Sequence, residues 1–173
     1  MKSFLKVIIE TATMISTEKR NAQTNGNDEH FHGSGEQDYD DVCKQLLSET
    51  NHERRKVGLN DVTLSRRLCR AAQLHSQYQA LHGKMSHTGS GGSRTSDRAK
   101  AEGFGYKVIC ENVASGQKSV GHVMQSWMKS EGHNRNIRRR DVERAGFGVF
   151  QSADGRPYWT MVLGTERSER RRK

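Results

Sequence analysis

Four side chains have types that can do chemistry together: His87, Glu111, Glu131 and His133. His87 lies in Ser86-His87-Thr88-Gly89-Ser90-Gly91-Gly92-Ser93, a loop by composition. Glu111 precedes Asn112 in a short apolar stretch, and Glu131 and His133 stand two residues apart after a helical pattern. Two neutral imidazoles and two carboxylates can hold a divalent metal such as zinc, or position a water. A carboxylate beside a metal-bound water can also act as a general base, which makes Glu111 a candidate catalytic residue. His87 and His133 are separated by most of the chain, so only the fold can bring them together. Taken as isolated residues, all four also fit solvated loop positions.

The elements that must position them are legible from periodicity. Asp40-Asp41 suits a helix N-terminus, and Val42, Leu46 and Leu47 follow as an apolar stripe, so a first helix is expected over about 41–56. A second runs from about Ser65 to His82, with Leu68, Ala71, Ala72, His75 and Tyr78 on one face and Gly83 as its stop. A short helix over 96–102 ends at Gly103. Residues 108–114 read as a strand. Ser119 caps a helix with Val120, Val123, Met124, Trp127 and Met128 on its apolar side. Residues 131–137 read as a polar turn. Residues 145–151 and 158–164 read as strands joined through Asp154-Gly155. Helices that precede and interleave with a few strands predict an α/β fold, a layered α–β–α domain over a small sheet.

Composition sets the limits. The chain has 173 residues, a net charge of +9, 32% hydrophobic and 28% charged residues. The polarity is uneven: residues 17–38 hold one large apolar residue, Phe31. The expected organisation is an N-terminal segment over 1–39, a domain over 40–165 and a disordered basic tail over 166–173. The N-terminal segment joins a weak signal-like start to a disordered polar tract. Lys6 and Glu10 interrupt the apolar start, and no run of 18 apolar residues is long enough for a membrane span.

Cys43, Cys69 and Cys110 form no CxxC pair, which argues against an ordinary structural zinc. Cys69 and Cys110 lie on elements that can be neighbours, a pairing that leaves Cys43 free. His30 and His32 fit a solvated tract, His75 a packed helix face, and Trp127 and Trp159 a core. Asn112 fits a structural role, bonding backbone. Arg135, Arg138, Arg139, Arg140 and Arg144 form one basic cluster; Arg167, Arg170, Arg171, Arg172 and Lys173 form another. Neither has interleaved aromatics for stacking bases. No specific nucleic acid is therefore expected, only weak contact with phosphate or an anionic membrane.

Several blocks together resemble the CAP superfamily, also called the SCP domain, which comprises cysteine-rich secretory proteins, antigen 5 and pathogenesis-related proteins. They are 47–54 (LSETNHER), 68–76 (LCRAAQLHS), 86–89 (SHTG), 110–114 (CENVA), 126–137 (SWMKSEGHNRNI), 146–149 (GFGV) and 158–160 (YWT), in family order. The short bacterial-type form is the most similar. The resemblance implies a three-layer α–β–α sandwich with a small, mostly antiparallel sheet, and a central cleft lined by His87, Glu111, Glu131 and His133. It also implies that His87 and His133 bind zinc or another divalent cation. Glu131 sits one residue later after its Trp than in the animal and plant pattern, which puts it behind the other three.

The function so implied is a secreted, extracellular binding protein for a lipid, a sterol or a protein partner, rather than an enzyme. The alternatives are a metal-dependent hydrolase using Glu111 as general base, and an intracellular basic adaptor for an anionic polymer or membrane. The sequence sets no oligomeric state.

Overall fold

The computed structural model describes residues 34–167. The signal-like start, most of the polar tract with His30 and His32, and the tail from Ser168 lie outside the described residues. Helix α1 spans Ser34–Arg55, strand β1 Thr63–Leu64, helix α2 Arg66–Leu81, helix α3 Thr95–Ala101 and strand β2 Tyr106–Ser115. Helices α4 (Val120–Lys129) and α5 (Glu131–Ile137) follow, then the hairpin of β3 (Arg144–Gln151) and β4 (Pro157–Glu166). The sheet order is β1-β3-β4-β2; β1 is parallel to β3, and the other pairs are antiparallel.

Period-two alternation separates the two helical layers. Ala145, Phe147 and Val149 of β3 join Trp159, Met161 and Leu163 of β4 in one core. That core also takes Val42 and Leu46 of α1, Val123 and Trp127 of α4 and Ile137 of α5. On the other face, Gly146 and Gly148 alternate with them and lie directly under α2. A Cβ at Gly146 would stand 2.2 Å from the carbonyl carbon of Leu68, and one at Gly148 would stand 2.4 Å from that of Ala72. Helix backbone thus rests on strand backbone, a contact that only glycine permits. Gln73 completes it: Nε2 donates to Val149 O (3.0 Å) and Oε1 accepts from Val149 N (2.9 Å).

Three expected elements differ. Helix α1 begins before the Asp40-Asp41 pair, and Tyr39 anchors its early turns by donating from its hydroxyl to Phe147 O at 2.8 Å. The expected turn at 131–137 is a helix. Its local propensity is weak, but Ile137 is fully buried and Asn134 Nδ2 donates to Met128 O at 2.9 Å, so tertiary contacts supply what propensity lacks. Strand β1 has two residues, too short to leave a periodic signal.

Arg54, at the C-terminal end of α1, is 1% exposed. Nε donates to Asn60 O (2.8 Å), Nη1 to Ile137 O and Arg139 O (both 2.8 Å), and Nη2 to Val142 O (3.4 Å). Its charge is solvated by peptide carbonyls, and it fastens α1 to the segment joining α5 to β3. Asn51, one turn earlier, brackets Val62 in the same way, with Nδ2 donating to its carbonyl (3.0 Å) and Oδ1 accepting from its N–H (2.8 Å).

Candidate functional site

Strand β2 is an edge strand, and its neighbouring residues Glu111 and Asn112 point to opposite faces. Glu111 pairs with Val162, beneath the α2 layer; Asn112 pairs with Met161, towards α4 and α5. The two layers meet beyond this edge. The loop after α2 brings His87 to Glu111, with His87 Nδ1 2.9 Å from Glu111 Oε1. The other oxygen, Oε2, accepts from Arg98 Nη2 on α3 at 2.7 Å. Arg98 also donates to Ser93 O and His87 O, locking the Gly/Ser loop around its guanidinium. From the opposite layer, Asn112 Nδ2 donates to His133 O (3.1 Å). Asn136 Nδ2 donates to Asn112 Oδ1 (2.8 Å) and Glu111 O (3.1 Å). These bonds hold the helix bearing His133 against the strand bearing Glu111.

Electrostatics follow from burial. Burial alone pushes the Glu111 carboxyl up, but the His87 hydrogen bond and the Arg98 charge together hold it below the ordinary value. The bond to Glu111 raises His87. Burial, then the charge of His87, lowers His133. In the neutral form of His87 the carboxylate places the proton on Nδ1 and leaves the lone pair on Nε2.

Arg98 is a neighbour of the site that the sequence did not mark, and His75, expected on a packed helix face, proves to be buried beneath Glu111. His75 lies beneath the site, its side chain fully buried, with Nε2 2.7 Å from Ser86 O and 3.9 Å from Glu111 Oε1. Gly89 lets the loop close over it: a Cβ there would stand 3.1 Å from His75 Nδ1 and 3.0 Å from Arg98 Nη1. Burial lowers His75, so the native state favours the neutral ring. Below the ordinary value of 6.5, the unfolded chain takes up a proton that the native chain refuses. This contribution to stability is therefore present at higher pH and is lost on acidification. The urea midpoint of His75→Gln is expected to fall less than the parent's between about pH 7 and about pH 5. Equal falls would remove His75 from this account.

Of the sequence-predicted site residues, the structure brings His87 and Glu111 into contact and places His133 close enough for its ring to feel the charge of His87. Glu131 is not joined to them. Its side chain is 91% exposed and bonds Arg135 at 2.7 Å. Among the described residues, no group of three or more His, Cys, Asp or Glu side chains is placed to hold a metal ion. The basic cluster is largely paired internally. Arg135 meets Glu131, Arg138 meets Glu53 (3.4 Å), Arg139 meets Asp141 (2.7 Å), and Arg144 donates to Thr63 Oγ1. All three cysteines are free thiols; the leading influence on the Cys69 thiol is Cys43, whereas Cys110 is influenced by Arg139, Asp141 and Arg54.

The sequence profile of the cysteine-rich secretory protein family, CAP, matches residues 47–163. YkwD of Bacillus subtilis (strain 168), a protein of uncharacterised function, is 32% identical over 118 residues; the match covers 68% of this chain and 45% of YkwD. The chain thus spans under half the length of that relative. An extracellular, SCP-domain-containing protein of Bacillus anthracis superposes with a TM-score of 0.67 at 21% identity, covering 80% of this chain and 45% of its own. NaASP2, solved with Zn2+, superposes with a TM-score of 0.56 at 11% identity, covering 80% and 84%. These two likenesses carry the α–β–α sandwich fold.

Proposed function

Because the chain belongs to the cysteine-rich secretory protein (CAP) family, we propose that it works outside the cell by binding rather than by catalysis, with His87 and His133 presenting a divalent cation and a neighbouring open cavity of mixed lining taking a lipid or sterol. The observation that carries this reading is the His87–Glu111–Arg98 chain. A ring whose Nδ1–H is fixed on a carboxylate offers Nε2 as a metal donor, the usual support of a metal-bound histidine. His133, held towards its neutral form, suits the same role. Two imidazoles leave most of a cation's coordination shell to solvent or ligand, so the residues fit a weak, open site. A bound cation would supply a Lewis-acidic anchor for an oxygen of the ligand.

Glu111 supports binding over hydrolysis. Both of its oxygens are occupied, and its carboxyl is held below the ordinary value, which makes it a poor acceptor for a proton from water. The cavity, about 690 Å3, lies beside the turn that leads from α2 to His87; Leu81, Met85 and Tyr158 give it an apolar side, and Ser115, Asp154 and Arg156 a polar one. Leu81 is 71% and Met85 51% exposed, which is apolar surface available to a hydrophobic ligand.

Equilibrium dialysis against Zn2+, with a fluorescent fatty acid and a fluorescent sterol as separate arms, tests the reading. The parent is expected to bind about one Zn2+ per chain, weakened about tenfold or more in His87→Ala and in His133→Ala. Met85→Asp is expected to leave Zn2+ binding intact and to weaken the hydrophobic probes about tenfold. Equal zinc in all proteins rejects the histidine site, and unchanged probe binding in Met85→Asp rejects the cavity.

A further inference from the structure

Cys43 and Cys69 are the two thiols that the fold brings together. Cys43 lies on α1 at 2% exposure and Cys69 on the first turn of α2 at 7%, within one apolar cluster. The two thiols lie close enough for each to be the leading influence on the other's ionisation. Both lean on the same peptide: Cys43 Sγ lies 4.0 Å from Phe147 O, and Cys69 also bonds the Phe147 backbone. Tyr39, one turn before Cys43, fixes the approach of the two helices. Its hydroxyl donates to Phe147 O at 2.8 Å and lies 3.5 Å from Cys69 O. Cys110 packs against the same apolar cluster from β2, but no contact with Phe147 O or Tyr39 joins it to the pair, and burial pushes its thiol up to about 12.

We propose that Cys43 and Cys69 are a disulfide-forming pair that staples α1 to α2 when the chain meets a disulfide oxidant. The oxidant is a small-molecule disulfide or the reactive disulfide of an oxidoreductase. The Cys69 thiolate attacks one sulfur of the oxidant, forming a mixed disulfide and releasing one thiolate. Cys43 then gives up its proton and attacks the Cys69 sulfur, expelling the second thiol. Two cysteine thiols and one disulfide thus become the Cys43–Cys69 bond and two free thiols. Cys69 is the entry point on two counts. It is the more exposed of the pair, and its neighbour's hydrogen bond lowers its thiol while that of Cys43 is raised. The bond closes the chain from α1 to α2 and restricts the unfolded state.

The test uses the full chain, reduced and then exposed to oxidised glutathione. The intact mass is expected to fall by two hydrogens with no glutathione retained, and non-reducing peptide mapping to give one cross-linked species joining Cys43 and Cys69. The melting temperature is expected to rise by about 5–10 °C over the reduced form. Cys110→Ser should keep the cross-link and the rise; Cys43→Ala and Cys69→Ala should lose both. The map of the unmutated chain decides the pairing without relying on any variant to fold. A cross-link containing Cys110, stable glutathione adducts, unreacted thiols throughout, or a cross-link without added thermal stability would overturn the proposal.

Discussion

Arg54→Met is expected to lose about 3–5 kcal/mol of folding stability, although methionine fills much of the same volume. The loss comes from what the guanidinium leaves behind. Four carbonyls, of Asn60, Ile137, Arg139 and Val142, converge on it, and Met supplies no donor to any of them. A buried ion pair loses one partner when mutated; here one donor group satisfies four acceptors from two segments. Urea unfolding, with a melting-temperature fall of about 10 °C or more, checks the effect. A loss below about 1 kcal/mol would mean that water replaces the guanidinium. Since Ile137 ends α5 and Arg139 lies just beyond it, the variant is also expected to weaken the proposed Zn2+ binding at His133 while leaving the hydrophobic probes unaffected.

The second large effect is expected at Gly148. In Gly148→Ala the new methyl meets Ala72 C and Gln73 N at 2.4 Å and Ala72 O at 2.5 Å, all backbone atoms of α2. No rotamer change relieves such a clash, so α2 must lift from β3 and release the paired bonds between Gln73 and Val149. The cost is about 3 kcal/mol, at the upper end of ordinary overpacking. Gly121→Ala provides the contrast. That glycine lies in helix α4 with nothing within 4 Å of its ideal Cβ, and the change is expected to gain up to about 1 kcal/mol. Urea midpoints of the two variants moving in the same direction would refute the backbone-contact reading of Gly148.

Long amphipathic helices and the β3–β4 hairpin were legible because their signals are local. The Leu68–Ala72 face, the Ser119 cap and Asp154-Gly155 each reside within a few residues of the element they specify. Helix α5 was not, since tertiary contacts such as the burial of Ile137 and the Asn134 and Asn136 bonds hold Glu131–Ile137 helical. The site divides in the same way. His87, Glu111 and His133 came from motif resemblance; nothing in their spacing placed them together. Arg98 and His75 are joined to Glu111 only through folding, and a lone Arg on a short helix carries no sequence mark of the carboxylate it meets. The Cys69–Cys110 pairing failed for a related reason. Neighbouring elements need not have neighbouring side chains, and α1 rather than β2 reaches the first turn of α2.

The side chains that bond strand backbones have one more consequence. The outer row of β3 is served by β1 at Glu143 O and Ala145 O, by Tyr39 at Phe147 O and by Gln73 at Val149. In the middle of β2, Asn136 takes Glu111 O and Trp127 Nε1 takes Val113 O at 3.3 Å. A small sheet would otherwise offer two templates on which another chain's strand could grow. Here part of each is occupied from within. Strand addition by another chain, whether a fibril neighbour or a peptide, is therefore expected to be disfavoured at those positions.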